Sequence, residues 1–458
     1  MFSDLTLRPL IPNAYSDQQY ALLQPAAQKD LSNIISIDLI ENGDRIAREN
    51  WQQRQLTNLL RHAHARSKFW QRRMPSRMIN HGIMKYLPIQ SRQDITAQVE
   101  LEGSLMACDG NASDLTYAST GSTGVPVTVH ISGENGYYND LRSLAQYFID
   151  DLSLDDNRVR IGPGTKLENM QRKSILVKPS ETWAGPLGKV FRNGRSKHIN
   201  HYYDDNSLIN ELLKDRVGYL VCPNLYIDIL MNNGGLKLIE KLGIRLWFHL
   251  SDYRDPEIVD ALKSIGVPSL SNYSAGEFGP IAFECSKYQG HFHVAHTNVV
   301  VECDNQMNAS FNGVTVGRLL ITHLHSYATP IIRYDIGDFA QLDEHCPCGH
   351  QGATISHIYG RGKHFLRHPN GQLLPFYIST RILLEAVAFK ECRVRQPEID
   401  RITVEIGGRT NITEAEEARL KDVIVKATDS AFKIEVKAVE EINWGENSKR
   451  LFFSSSVA

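Results

Sequence analysis

The sequence has no long apolar run, no run of basic residues and only seven cysteines among its 458 residues. Because a helix needs about 20 consecutive apolar residues to span a bilayer, we expect no membrane segment. Basic and acidic residues nearly balance, at 50 and 52, so we expect no nucleic-acid surface either. The first residues, MFSDLTLRPLIPNAYSD, lack the basic-then-apolar order of a signal peptide, and we therefore expect a cytoplasmic protein.

Cysteine is too sparse in this chain for a disulfide framework. In a reducing compartment, any cluster among the seven cysteines is either metal-binding or simply buried. The rest of the composition is that of an ordinary globular protein, with 42% hydrophobic and 22% charged residues. A chain of this length can form two or three domains with a large buried core.

Short apolar strands alternate with helices through most of the chain, which predicts an α/β body. Residues 1 to about 45 show little periodicity and predict an irregular lead-in, whereas the apolar spacing predicts a helix over 49–73. Further predicted elements are strands at 127–129, 219–221, 299–301 and 319–321, and helices at 206–214 and 227–242.

The pattern restarts near the C-terminus. A strand is predicted over 402–406, and Thr413 and Glu416 have the spacing of a capping box that opens the next helix. Alternating apolar residues after that helix predict another strand. We therefore predict two domains, a large N-terminal one over 1–360 and a small mobile α+β one over 361–458.

A loop rich in glycine and hydroxyl residues precedes the strand at 127–129. It reads Ser119-Thr120-Gly121-Ser122-Thr123-Gly124. Glycines let a backbone approach a ligand closely, and converging N–H groups with added hydroxyls can hold phosphate oxygens. It is not a Walker loop, because no lysine followed by serine or threonine stands at the required spacing. Alone, such a stretch is more often an ordinary turn than a phosphate site.

Further motifs follow this loop in order: SNYSAGEFGP at 271–280, PIIRYDIGDFAQL at 330–342, IYGRGKHF at 358–365 and ENSKRLFF at 446–453. Together with the loop, the series resembles the adenylate-forming superfamily of acyl- and aryl-CoA ligases. The family's motifs are T-S-G-T-T-G-x-P, Y-x-x-T-E, Y-x-T-G-D, G-R before a polar hinge, and a C-terminal lysine. The resemblance implies the superfamily's fold, a large multi-sheet N-terminal domain with a small C-terminal one.

Within that superfamily the chain looks most like the phenylacetate–CoA ligases. QLTNLLRHAHARSKFWQRRM followed by LPIQSRQDI resembles their N-terminus, and GPIAFECSKYQGHFH and TPIIRYDIGD with CPCG also look like that branch. The resemblance runs from about residue 49 to residue 453. It implies ATP-dependent activation of a carboxylic acid, aryl or arylacetic, as acyl-AMP, and transfer to a thiol, most often that of CoA.

The resemblance also implies a role for each motif. The loop at 119–124 would hold the β- and γ-phosphates of ATP. Glu277 would bind Mg2+, a hard ion that prefers carboxylate oxygen beside phosphate, and Tyr273 would pack near the adenine. Asp338 would accept hydrogen bonds from both ribose hydroxyls, and Arg361 would contact ribose or phosphate.

Lys449 would supply the catalytic charge, because an ammonium can bridge the acid's carboxylate and the α-phosphate during adenylation. The chain departs from the family pattern elsewhere: Val125 stands where many relatives have lysine, Gly276 where the motif has threonine, and Lys363 near the usual hinge aspartate. These departures leave one phosphate contact, one hydroxyl contact and the hinge residue open.

A separate set of cysteine and histidine residues has the chemistry of a metal site. Cys346 and Cys348 form a C-x-C pair, and Cys285 lies upstream with His291 and His293. Similar positions hold zinc in some phenylacetate–CoA ligase relatives, so the resemblance implies a structural Zn2+ site made by Cys285, His293, Cys346 and Cys348. The spacing to the next strand favours His293 over His291. The alternative is buried free thiols beside surface histidines.

Different functions remain open at this point. The first is formation of acyl-AMP and transfer to CoA, and the second is adenylation with transfer to a carrier-protein thiol or an amine. The third is a non-catalytic adenylate or acyl binder, which Val125, Gly276 and Lys363 favour and which the retained motif residues disfavour. We expect a small carboxylic acid and CoA, or an acyl carrier protein, as partners. The acid and the oligomeric state, with a homodimer among the alternatives, cannot be read from the sequence.

Overall fold

A computed structural model describes most of the chain. The described residues are 25–79, 84–105, 115–118, 127–150, 152–162, 176–184, 193–200, 205–250, 254–311, 314–361, 365–376, 378, 380–389, 391–428, 431–443 and 452–457. Within these ranges, no helix combines the length and the apolar character that crossing a bilayer requires.

The helices, numbered along the chain, are α1 Pro25–Glu41, α2 Arg45–Arg66, α3 Lys68–Arg73, α4 Ser76–Ile79, α5 Arg92–Glu102, α6 Gly133–Ile149, α7 Asp205–Leu212, α8 Asn224–Leu242, α9 Pro256–Ser264, α10 Thr380–Ala386 and α11 Glu414–Thr428. A single 3-10 turn covers Met84–Tyr86. Helices predicted over 206–214 and 227–242 are confirmed as α7 and α8, and α8 breaks at Gly235, where φ is 62°.

The strands are β1 Leu115–Ala118, β2 Thr128–Ile131, β3 Arg158–Gly162, β4 Leu176–Ser180, β5 Ser196–Asn200, β6 Gly218–Cys222, β7 Ile244–His249, β8 Ser269–Ala275, β9 Gly279–Glu284, β10 His291–Val294, β11 Val299–Phe311, β12 Val314–His323, β13 Tyr334–Asp343, β14 Thr354–Arg361, β15 Phe365–Arg367, β16 Leu373–Pro375, β17 Glu391–Glu398, β18 Arg401–Gly407, β19 Lys433–Val439 and β20 Phe453–Ser455. The strands predicted at 219–221, 299–301 and 319–321 are confirmed within β6, β11 and β12, and the one predicted at 127–129 is confirmed as β2, which begins one residue later, at Thr128.

A 12-stranded sheet, in the order β11-β12-β13-β14-β10-β9-β8-β7-β6-β3-β5-β4, forms the body of the protein. Its parallel part is buried on both faces, as parallel sheets require. One face, with Leu220 and Trp247, packs against α7, α8 and α9. The other face, with Leu246 and Phe248, packs against α1 and α6. The fold class is therefore α/β, as predicted.

Strand β8 is where the sheet changes from parallel to antiparallel pairing. Its first residues pair in parallel with β7, as in His249 opposite Ser271. Its last residues pair antiparallel with β9, as in Tyr273 opposite Ala282. Open α/β sheets bind ligands outside the carboxyl ends of their strands, and the C-terminal end of β8 is such a position.

The N-terminal residues correct one prediction. Residues 25–41 of the predicted irregular lead-in form a helix, α1, whose Leu31, Ile34 and Ile37 are buried against α6. The helix predicted over 49–73 begins at Arg45 and is interrupted at Ser67. The Ser67 hydroxyl accepts the Trp70 N–H at 3.0 Å and so caps a new helix.

The C-terminal residues form their own sheet, in the order β19-β18-β17-β20, with helix α11 crossing between β18 and β19. Val394, Val404 and Leu420 are among the buried residues of a core that belongs to this part of the chain. The predicted capping box of α11 is confirmed, since the Thr413 hydroxyl accepts the Glu416 N–H at 3.3 Å and the Glu416 carboxylate accepts the Thr413 N–H at 2.9 Å.

Candidate active site

The turn between β8 and β9 presents Glu277, the predicted magnesium ligand. The Phe278 N–H donates to the Ala275 carbonyl at 3.0 Å, which closes the turn. The buried Asn298 amide then donates to the carbonyls of Phe278 at 2.9 Å and Pro280 at 2.7 Å. These two hydrogen bonds fix the backbone directly after Glu277, and so they help to position this residue.

Glu277 is only 4% exposed. Within the described part of the chain, no hydrogen bond or ion pair reaches its carboxylate. Burying a carboxylate is costly unless a partner compensates it, and a hard divalent cation is one such partner. The geometry of this side chain therefore fits a Mg2+ ligand.

Tyr273 and Asp338 come from different motifs and meet directly. The Tyr273 hydroxyl donates to Asp338 Oδ2 at 2.6 Å, although β8 and β13 are not neighbours in the sheet. Asp338 is only 9% exposed and pairs across β13 and β14 with Arg361. The side chain of Arg361 lies outside the described residues. The structure thus brings together the second, third and fourth motifs.

Two neighbours of Asp338 have structural rather than ligand-binding contacts. Asp335 Oδ1 accepts the N–H of Gly337 at 2.9 Å, and its other oxygen accepts from Arg318 at 3.1 Å. Arg333 donates to Glu302 at 3.0 Å and to the Leu87 carbonyl. Asp335 therefore caps the turn at Gly337, whereas the Asp338 carboxylate accepts from Tyr273.

The predicted phosphate loop, Ser119 to Gly124, lies outside the described residues, as does Lys449. The strands that bracket the loop are described, and Ala118 pairs with Thr128 across them. The ring of Tyr117 lies directly against Gly276: a Cβ added to that glycine would be 1.8 Å from ring atoms Cε1 and Cζ. The strand residue before the loop is therefore beside the Glu277 turn.

The four predicted zinc ligands converge. Sγ of Cys285, Cys346 and Cys348 and a ring nitrogen of His293 all lie within 4.8 Å of one another. The distance from His293 Nε2 to Cys348 Sγ is 3.4 Å. With bonds of about 2.3 Å to sulfur and 2.0 Å to nitrogen, a tetrahedral zinc ion has ligand atoms roughly 3.5–3.8 Å apart. The geometry selects His293 and excludes His291 from this group.

The surroundings of the cluster also fit a metal. The N–H groups of Tyr288 and His350 donate to Cys285 Sγ and Cys348 Sγ, both at 3.4 Å, as suits thiolate ligands. Burial lowers the pKa of His293 to about 4, so its imidazole is neutral and able to ligate. Burial and the neighbouring thiols raise the pKa of Cys346 to about 12, an environment in which a bound cation would favour the thiolates.

Sequence reasoning missed two buried carboxylates that hold this region. Glu41 of α1 accepts the N–H groups of His296 at 2.9 Å and Thr297 at 2.8 Å. Burial would raise the pKa of Glu41, but hydrogen bonds from His296 and Thr297 lower it below its ordinary value. Glu284, just before Cys285, forms a two-pronged ion pair with Arg254. No local pattern marks either residue, because each partner is distant in sequence.

Comparisons with known proteins bear on the fold. No protein-family model matches the chain. It is 27% identical over 148 residues to Protein CapK of Staphylococcus aureus, a match that spans 32% of this chain and 31% of CapK. It is similar to a solved 2-hydroxyisobutyryl-CoA ligase in the postadenylation state with R3-HIB-AMP, at 14% identity, 91% coverage of both chains and a TM-score of 0.64.

A second similar solved structure is an acyl acid amido synthetase. The AtGH3.15 acyl acid amido synthetase, in complex with 2,4-DB, is 12% identical, with 95% of both chains covered and a TM-score of 0.56. Both similarities span more than nine tenths of the chain. The chain therefore has the fold of the adenylate-forming enzymes, as the resemblance implied.

Proposed function

We propose that this protein activates a carboxylic acid with ATP as acyl-AMP and transfers the acyl group to a thiol, that of CoA. The observation that carries the proposal is the 2.6 Å hydrogen bond from Tyr273 to Asp338, beside the buried Glu277. It joins motifs that are distant in sequence at the point where the sheet changes its pairing. The adenylate-forming fold supports the same activity.

The chemistry explains why these residue types are needed. A carboxylate is a poor electrophile, and attack of its oxygen on the α-phosphate converts it into a mixed anhydride with a good leaving group. The protein must hold two anions together and offset charge as pyrophosphate leaves. In our proposal the loop at 119–124 holds the β- and γ-phosphates, and Lys449 bridges the carboxylate and the α-phosphate. Asp338 and Arg361 hold the ribose.

Glu277 is the proposed magnesium ligand. Bound Mg2+ would offset negative charge on the phosphates. Its isolated, buried carboxylate supports this role, and the Asn298 amide keeps the turn that carries it in place. Tyr273 would pack against the adenine while its hydroxyl orients Asp338.

We further propose that Cys285, His293, Cys346 and Cys348 hold a structural Zn2+. The convergence of their ligand atoms within 4.8 Å supports it. With all four positions filled by protein, such a site has no open position for substrate, which is typical of structural zinc. It would tie the turn before β10 to the C-x-C turn before β14.

The acid and the acceptor are the finer part of the proposal. The resemblance to phenylacetate–CoA ligases favours an aryl or arylacetic acid and CoA. Transfer to a carrier-protein thiol or to an amine is the second candidate, and the similarity to an amido synthetase favours keeping it. A protein that only binds adenylates is the remaining alternative.

An ATP–pyrophosphate exchange screen separates these functions. Purified protein is assayed with Mg2+ and a panel of aromatic, arylacetic and short aliphatic acids, then with CoA, a carrier protein or amines. Acid-dependent exchange followed by CoA thioester formation is the expected result. Exchange without thioester would favour another acceptor, and no exchange with any acid would contradict the proposed function.

A further inference from the structure

We propose that Tyr117 provides the cleft hydroxyl that position 276 lacks, and that it donates a hydrogen bond to the α-phosphate oxygens of the bound adenylate. The inference rests on the proposed function. It goes beyond the motif residues, because Tyr117 precedes the phosphate loop and belongs to none of them. It also explains why glycine stands at 276.

The contact between Tyr117 and Gly276 leaves no room for a side chain at 276. A Cβ built there would lie 1.8 Å from Cε1 and Cζ of Tyr117 and 2.2 Å from its hydroxyl oxygen. Real Cβ atoms essentially never approach another heavy atom within 3.0 Å. The φ angle of Gly276 is not positive, so the lack of space for a side chain, and not the backbone conformation, requires glycine here.

The same contact locates the phenol hydroxyl. Its oxygen is 2.2 Å from the Cβ position of residue 276, not much more than a single bond of about 1.5 Å. A threonine at 276 would carry its own hydroxyl one bond from that Cβ. Tyr117 thus brings a hydroxyl from β1 into the volume that a threonine side chain at 276 would fill.

The position of this hydroxyl suits an anionic ligand. Gly276 directly precedes Glu277, the proposed magnesium ligand, so the hydroxyl lies close to the place where Mg2+ and the phosphates that it binds would sit. Tyr117 is 39% exposed, so part of its side chain is accessible to a ligand. A phenol donates a short hydrogen bond to anionic oxygen, and a positioned donor of this kind stabilises charge that develops in transfer.

A swap experiment tests the inference. Tyr117→Phe removes only the hydroxyl, and we expect acid-dependent exchange to fall about tenfold to a hundredfold in kcat, with the melting temperature retained. Gly276→Thr alone should lower both, because its side chain collides with the ring. The double variant Tyr117→Ala with Gly276→Thr should have a higher melting temperature than Gly276→Thr alone. It should also have a higher exchange rate than Tyr117→Ala alone. Tyr86→Phe, at a tyrosine that is 62% exposed elsewhere, is the matched control and should match the parent.

The outcomes distinguish the two proposals. Exchange by Tyr117→Phe within twofold of an active parent would overturn the hydroxyl contact and leave the proposed function standing. A double variant no better than either single variant in exchange would also overturn it. Absence of exchange in the parent with every acid would overturn the proposed function and this contact with it.

Discussion

Replacing Asp338 tests the nucleotide site most directly. Asp338→Ala removes a carboxylate that is 9% exposed and is held by the Tyr273 hydroxyl at 2.6 Å. An ionised carboxylate has about four acceptor positions, so it can keep Tyr273 and still accept both ribose hydroxyls. Hydrogen bonds to charged groups contribute about 1.5–3 kcal/mol net. Allowing for water that replaces part of this, ATP affinity should fall about tenfold to a hundredfold.

The assay is calorimetric titration of ATP in the presence of Mg2+, with two comparison variants. Asp335→Ala is the matched control, because Asp335 lies three residues earlier and bonds Gly337 and Arg318 instead of Tyr273. It should lower the melting temperature and leave ATP affinity unchanged. Tyr273→Phe keeps the ring and loses the hydroxyl, so its ATP affinity should fall less than that of Asp338→Ala.

Two different results would contradict the assignment of Asp338. If Asp338→Ala binds ATP within twofold of the parent while remaining folded, the carboxylate does not hold the ribose. Equal losses in Asp338→Ala and Asp335→Ala would instead indicate a general loosening of β13, and the assignment of Asp338 would fall as well.

Other predictions address the catalytic lysine, the metal and pH. Lys449→Ala should abolish exchange while leaving ATP affinity largely intact, because the ammonium acts on charge that develops during transfer; undiminished exchange would contradict its role. Elemental analysis should find about one zinc per chain, lost in Cys348→Ser and kept in Cys392→Ser, and less than about half an equivalent in metal-replete protein would remove the site. Burial lowers the pKa of His249 to about 3 and that of His325 to about 4. As the pH falls, both imidazoles therefore become protonated in the unfolded chain at a higher pH than in the folded chain. The free energy of unfolding should then decline below about pH 6.5, by up to about 1.4 kcal/mol per pH unit for each histidine. His249→Gln should make the decline shallower, and a melting temperature that stays flat from pH 7 to pH 5 would contradict the argument.

The fold class and several elements could be predicted because apolar periodicity is a local property. Strand β6 is buried at every residue and reads as an apolar run, and Thr413 with Glu416 signals the start of α11 within a few residues. Helix α1 was missed although most of its buried residues are apolar, because two polar residues, Asp30 and Glu41, share its buried face. Asp30 accepts from Tyr137 and Glu41 from Thr297, so the apolar spacing that marks a helix is interrupted.

Site residues could be predicted only where the order of motifs along the chain, or the chemistry of the residue type, indicated them. The cysteines and His293 could be chosen by chemistry and spacing, and their convergence agrees with that choice. The Tyr117 contact with Gly276 could not be found in this way. It joins residues about 160 positions apart, and only the glycine gives a local hint, as a departure from a motif.

The hydrogen bonds of Glu41 connect α1 to the turn that contains Glu277. Its carboxylate accepts hydrogen bonds from Thr297, the next residue is Asn298, and the Asn298 amide donates to the carbonyls of Phe278 and Pro280, directly after Glu277. A chain shortened to begin after α1 should therefore lose the alignment of Glu277, the proposed magnesium ligand, even though every motif residue would still be present. A deletion of α1 would therefore reduce activity even though the helix contributes no motif residue, because its role is to position the turn that contains Glu277.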